Sequence, residues 1–165
     1  MSLKFWKTRL ASEQSKIRAS RYSDGSIAAP GHRLVFLAEN HQVAVFETRA
    51  LLGDPRSPIA NPKGSWAILG LDVVLDHVVD LADTGQQKIL GTNEMELTGS
   101  WTDRAAITPT QELGLALHAL PGLEGFLYPS SVVQGTCLAV FPDKLGPRSS
   151  ITFLNEMTSR RERLT

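Results

Sequence analysis

The sequence predicts a mixed α/β (α+β) fold in a single domain spanning residues 1–165. Three observations carry that expectation. Short apolar runs of strand length recur, such as Leu34–Ala38. Stretches with helical spacing follow residues suited to capping a helix, such as Asn40 and Thr108. No repeat, low-complexity segment or long linker divides the chain, and 165 residues suffice to bury roughly two thirds of the unfolded surface.

Seventeen basic and seventeen acidic residues give a formal net charge of zero. No global field then draws the protein to nucleic acid or to an anionic membrane. Lys4, Lys7 and Arg9 near the start and Arg160, Arg161 and Arg163 near the end read as solvated termini. The longest apolar run is far short of a membrane span, and residues 1–21 do not read as a signal peptide. A single cysteine, Cys137, has no partner for an internal disulfide, which suits a reducing compartment. The expectation is a soluble cytoplasmic protein.

In chain order, Phe5–Leu10 reads as a first strand and Ala11–Ser20 as a polar segment. Turns are expected at Asp24-Gly25 and at Pro30-Gly31. Leu34–Ala38 is the central strand, expected to be buried on both faces. A helix capped by Asn40 follows, with Val43, Ala44, Phe46, Glu47, Ala50 and Leu51 on one face and an end near Gly53. Glu47 breaks that apolar face. It either sits at an edge, reaching water or pairing with Arg49 or Arg21, or is a pocket carboxylate.

Three prolines make Asp54–Gly64 an irregular loop, and Ser65–Val74 reads as a strand. Asp72, Asp76, His77 and Asp80 match no recognised metal-ligand spacing, so no metal site is expected. Thr84–Leu90 is weakly helical, and Gly91–Ile107 has no clear pattern. Thr108-Pro109-Thr110-Gln111 is a capping box with proline at the first helical position, opening a helix that runs to about Leu120. Its His118 reads as a surface or core-edge residue, and nothing beyond residue type links it to Cys137 as a catalytic pair. Phe126–Tyr128, Cys137–Phe141 and Ile151–Leu154 complete the strands.

Phosphate-binding loops, dinucleotide fingerprints, serine-hydrolase elbows and zinc-protease helices are absent. Four separated pieces, taken in order, nevertheless resemble the RES domain family, named for arginine, glutamate and serine. Arg21-Tyr22-Ser23 resembles its arginine–aromatic element. Val35–Asn40 with Ala44–Glu47 resembles its tyrosine-containing strand and glutamate-bearing helix. Thr108–Gly114 resembles its later capped helix, and Tyr128-Pro129-Ser130 its serine motif, followed by a strand ending Val140-Phe141-Pro142.

The resemblance implies a fold like that of ADP-ribosyltransferases and a toxin that destroys NAD at the nicotinamide–ribose bond, by phosphorolysis or hydrolysis. It also implies a partner, an Xre-type helix-turn-helix antitoxin, with phosphate as a co-substrate and no prosthetic group. Breaking that bond builds positive charge on the ribose, which a carboxylate stabilises. Glu47 takes that role on the resemblance. Arg21 would grip pyrophosphate or phosphate. Tyr22 would wall the nicotinamide, and Ser130, with Ser131 as second candidate, would bond ribose or phosphate. Phe36 stands where the family has tyrosine, keeping the ring and losing the hydroxyl. The longer interval after Arg21 leaves Arg33 as a rival arginine. Transfer of ADP-ribose to a protein, or a binding module without turnover, are the alternatives.

Overall fold

The chain's apolar strands and capped helices assemble as a mixed sheet packed on short helices. The computed structural model describes residues 20–23, 32–62, 68–101, 106–155 and 160–163. In chain order the strands are β1 (Val35–Ala38), β2 (Leu51–Leu52), β3 (Ile59–Ala60), β4 (Leu71–Val74), β5 (Val78–Asp80), β6 (Gly125–Pro129), β7 (Thr136–Val140), β8 (Ser150–Asn155) and β9 (Arg160–Arg163). The helices are α1 (His41–Glu47), α2 (Thr84–Ile89), α3 (Glu94–Thr98) and α4 (Pro109–Ala119). The expected strand at residues 5–10, the polar segment before Ser20 and the turns at 24–25 and 30–31 lie outside the described residues.

The central sheet has the order β1-β7-β6-β5, with β5 parallel to β6 and the other pairs antiparallel. Its register sets Phe126 opposite Ala139 and Tyr128 opposite Cys137. Because strand side chains alternate in direction, these residues share one face. All are buried, and they form the core with Val43 of α1, Leu97 of α3, Leu117 of α4 and Tyr22. Each large apolar side chain withdrawn from water in this way stabilises the fold by about 1.5–3 kcal/mol.

Several expectations need correction. β1 is an edge strand rather than one buried on both faces, and Phe36 is 43% exposed. Its other neighbours in the strand are half-buried. Helix α1 stops at Glu47, well before Gly53, so Ala50 and Leu51 leave its face. Arg49 takes a left-handed conformation at φ 57, ending the helix where glycine is the usual residue. The chain then enters a hairpin, with Leu51 opposite Ala60 and Leu52 opposite Ile59, its first strand in the stretch read as helix and its second in the segment read as irregular. The strand read at Ser65–Val74 is Leu71–Val74, and residues 63–67 lie outside the described residues.

A second sheet has the order β4-β8-β9. The basic C-terminal stretch is a strand whose Arg161 and Arg163 stay exposed, Arg161 paired to Asp72 at 3.1 Å and Arg163 donating to the Ser149 carbonyl at 2.7 Å. Asp76 pairs instead with Arg148 at 3.0 Å. The two aspartates thus serve separate ion pairs, and no group of described residues is arranged to hold a metal ion. No described helix is long and apolar enough to cross a membrane.

Candidate active site

Local chemistry fixes the elements that carry the site. Asn40 caps α1, its side chain accepting from the Val43 N–H at 3.0 Å. That anchors the helix start, and the left-handed Arg49 fixes its end. Glu47 is therefore the last helical residue. A carboxylate is disfavoured there by the helix dipole, by about 0.3–1 kcal/mol at an exposed position. What offsets that cost lies 83 residues away. Ser130 Oγ donates to Glu47 Oε1 at 2.6 Å, and the Ser131 backbone N–H donates to the same oxygen at 3.1 Å. Among the described residues, Glu47 forms no ion pair with Arg21 or Arg49.

Ser130 sits where β6 ends, and its hydroxyl is fully engaged. Having given its proton to Glu47, it accepts from the Val132 and Val133 N–H groups, each at 3.3 Å. The Ser130 N–H donates to Gly135 at 2.9 Å, closing the loop before β7. A hydroxyl tied in this way orients a carboxylate and is poorly placed to attack a substrate. Ser130 lines a cleft of about 530 Å³ with Glu39, Glu94, Val133, Gly135 and Thr136. A larger cleft of about 980 Å³ is lined by His41, Ala44, Val45 and Thr48 of the α1 region and by Phe36. Glu47 is half-buried and is not among the residues lining either cleft.

Arg21 and Tyr22 form the tip of a tight turn closed by Ser20 N–H to Ser23 O at 2.7 Å. The Arg21 guanidinium donates through Nη1 to the Gly99 carbonyl at the end of α3. Tyr22 is 0% exposed, so its ring is a core residue rather than a wall facing a ligand. It packs edge-on against Phe126 and Tyr128, each with centroids 4.9 Å away. Burial raises the Tyr22 phenol pKa, opposed by the Arg21 charge and reinforced by Cys137 and Glu47. The phenol therefore lies within the fields of both the arginine and the glutamate.

Burial likewise pushes the Cys137 thiol up to about 12, with the Glu47 charge adding to it, so the thiol stays protonated. His118 bonds Asp143 at 2.9 Å and stacks on His32, so it is engaged elsewhere and not paired with Cys137. Arg33 is exposed, and Phe36 meets Tyr128 edge-on at 6.3 Å. The structure thus brings together Glu47, Ser130 and Ser131, keeps Arg21 and Tyr22 nearby, and leaves Arg33 apart from their hydrogen bonds.

Among the described residues, the buried Tyr22 hydroxyl has no hydrogen-bond partner. Such an orphan costs about 1–3 kcal/mol. Tyr22→Phe is therefore expected to raise stability by about 1 kcal/mol, or roughly 2–4 °C in Tm by calorimetry. A fall in Tm would mean that a buried water satisfies the group.

A mixed sheet carrying a half-buried arginine turn, a helix-terminal glutamate and a serine at the end of a central strand fits an arginine–glutamate–serine class of domain. The sequence matches the RES domain over residues 4–153, and the chain belongs to that family. No curated protein and no solved structure matches it, so the likeness to ADP-ribosyltransferases stays an implication of the family.

Proposed function

We propose that this RES domain is an NAD-degrading enzyme of a toxin–antitoxin pair. It would cleave the nicotinamide–ribose bond by phosphorolysis, giving ADP-ribose phosphate and nicotinamide, or by hydrolysis, giving ADP-ribose. The observation that carries the reading is the 2.6 Å contact that aims Glu47 with Ser130. One carboxylate oxygen is held by Ser130 and Ser131. Among the described residues, the other takes no hydrogen bond and remains able to face positive charge or a ribose hydroxyl.

In this reading Glu47 stabilises the oxocarbenium-like ribose, and Ser130 and Ser131 orient it. Arg21 turns from the Gly99 carbonyl to the pyrophosphate or an incoming phosphate, both stronger acceptors for a guanidinium. The exposed ring of Phe36 offers a stacking surface for a base. NAD and phosphate are the small-molecule partners, an Xre-type antitoxin the protein partner, and the cytoplasm the site of action. The test is NAD loss by the purified protein with and without phosphate, products resolved by mass spectrometry. ADP-ribose phosphate formed only with phosphate supports phosphorolysis, ADP-ribose in both supports hydrolysis, and intact NAD in both removes the enzyme reading.

One observation favours a second reading. Phe36 lacks the hydroxyl donor of the family's tyrosine, and Tyr22 is sealed in the core. A domain that binds NAD or antitoxin without turnover would show calorimetric binding alongside intact NAD.

A further inference from the structure

Gln111 is an unusual choice at its position. In a capping box, the third helical residue needs only an acceptor for the cap residue's N–H, and glutamate supplies it as well as glutamine. Here Gln111 Oε1 does that work, accepting from the Thr108 N–H at 2.9 Å, while the Gln111 N–H donates to Thr108 Oγ1 at 3.3 Å. The cap is complete without the amide nitrogen. That nitrogen instead donates to the Ser20 carbonyl at 3.0 Å and lies 3.5 Å from the Ser23 carbonyl. These are the two ends of the turn that carries Arg21 and Tyr22. A carboxylate at this position has no proton to give them and would face two carbonyl oxygens.

One helical turn further on, the same helix face meets the same segment. A side chain built on Gly114 would place its Cβ 2.0 Å from the Tyr22 carbonyl oxygen, a distance no packing tolerates. Glycine is required there because helix and backbone touch directly. Gln111 is 6% exposed and Tyr22 0%, so water does not compete for these contacts. Ser23 Oγ adds a third tie, donating to the His32 carbonyl at 3.1 Å.

We propose that α4 clamps the Ser20–Ser23 turn through the Gln111 amide and the Gly114 surface, and that Gln111 is a positioning residue acting through Arg21. The inference rests on Arg21 holding substrate as set out above. With only a short turn between the clamp and the guanidinium, displacement of the turn carries the charged group with it. A misplacement of about 1 Å in a group that holds substrate lowers its effectiveness by as much as 10²-fold.

The discriminating variant is Gln111→Glu, which keeps the capping acceptor and removes only the amide donor. KM for NAD is expected to rise about tenfold with kcat changed far less, the signature of weakened holding rather than lost chemistry. Thr108→Ala is the control. It removes the cap and keeps the clamp, so it should lower Tm and leave KM unchanged. If Gln111→Glu does not fold, Gln111→Met replaces it, and its KM is compared with that of Thr108→Ala. Equal KM values in clamp and cap variants would overturn the proposal.

A second readout does not depend on turnover. The Arg21 Nε–H resonance should report an ordered side chain in the wild type and a motionally averaged one in Gln111→Glu. Unchanged order would also overturn the proposal. If the wild type consumes no NAD, the enzyme reading fails, and this resonance still decides the clamp.

Discussion

Glu47→Gln is expected to lower NAD consumption by roughly 10²–10³-fold while leaving the fold intact. The amide keeps an oxygen that can accept from Ser130 Oγ and the Ser131 N–H, the two contacts made by Oε1. Shape and orientation survive, and what is removed is the negative charge that the proposed reaction sets beside a developing positive one. Stability should not fall. A carboxylate at the end of α1 opposes the helix dipole, and neutralising it returns a few tenths of a kcal/mol. Loss of activity with Tm equal to or above that of the wild type is thus the expected pair of results. Ser130→Ala gives the contrast: the charge stays, one orienting bond goes, and the loss should be about tenfold. Full turnover by Glu47→Gln would show that the carboxylate charge does not serve the reaction.

How much of this was legible in the sequence follows from the range of each interaction. The caps at Asn40 and Thr108 form between residues three apart, so the residue types announce them. The end of α1 at Glu47 was hidden, because Arg49 rather than a glycine takes the left-handed position, and the two-residue strands of the hairpin after it are too short for a strand pattern to register. β5 is only three residues long, too short for alternation to register, and its pairing is parallel and non-local. The Glu47–Ser130 contact spans 83 positions, and no spacing rule reaches that far. Resemblance to a family named both residues, whereas nothing in the pattern joined them. The same holds for Gln111, whose capping role was plain and whose hold on Ser20, 91 positions away, was not. The motif points Tyr22 to the ligand pocket, whereas its ring is buried by edge-on packing against Phe126 and Tyr128, strand residues far away in sequence that meet it only in the fold.

Acid is expected to destabilise the fold in two successive, partly overlapping windows, through two buried groups that the proposed reaction does not use. His32 is 5% exposed, stacks on His118 at 4.7 Å, and among the described residues neither ring nitrogen has a well-formed hydrogen bond, the Tyr22 backbone offering only a weak one. Burial lowers its pKa from 6.5 to about 4, with repulsion from His118 adding to the effect. Asp143 opposes that fall and Lys144 assists it. A folded value below the unfolded one means that stability is fully present above pH 6.5 and is lost as pH falls towards 4. The loss is on the order of 2 kcal/mol once solvent screening is allowed for. Glu124 lies at the other end of β6 from Ser130, and is 2% exposed. It accepts from the Asp76 N–H at 2.6 Å, the Gly146 N–H at 2.7 Å and Ser149 Oγ at 2.7 Å. Burial pushes its carboxyl upward, but the hydrogen bonds from Ser149, Gly146 and Asp76 outweigh it and hold the group below its ordinary 4.5. Its contribution is therefore present above that value and is lost as pH falls below it, a window that opens at the acid end of the His32 window. Urea midpoints measured across this range should fall in both windows. His32→Phe keeps the stacked ring without a titrating nitrogen and should be flat in the upper window alone. Glu124→Gln turns an amide N–H2 towards groups that are themselves donors, at a loss of about 2–4 kcal/mol at neutral pH. If His32→Phe retained the full upper-window slope, the titrating group would lie elsewhere; a neutral outcome for Glu124→Gln would mean that water replaces the carboxylate at no cost.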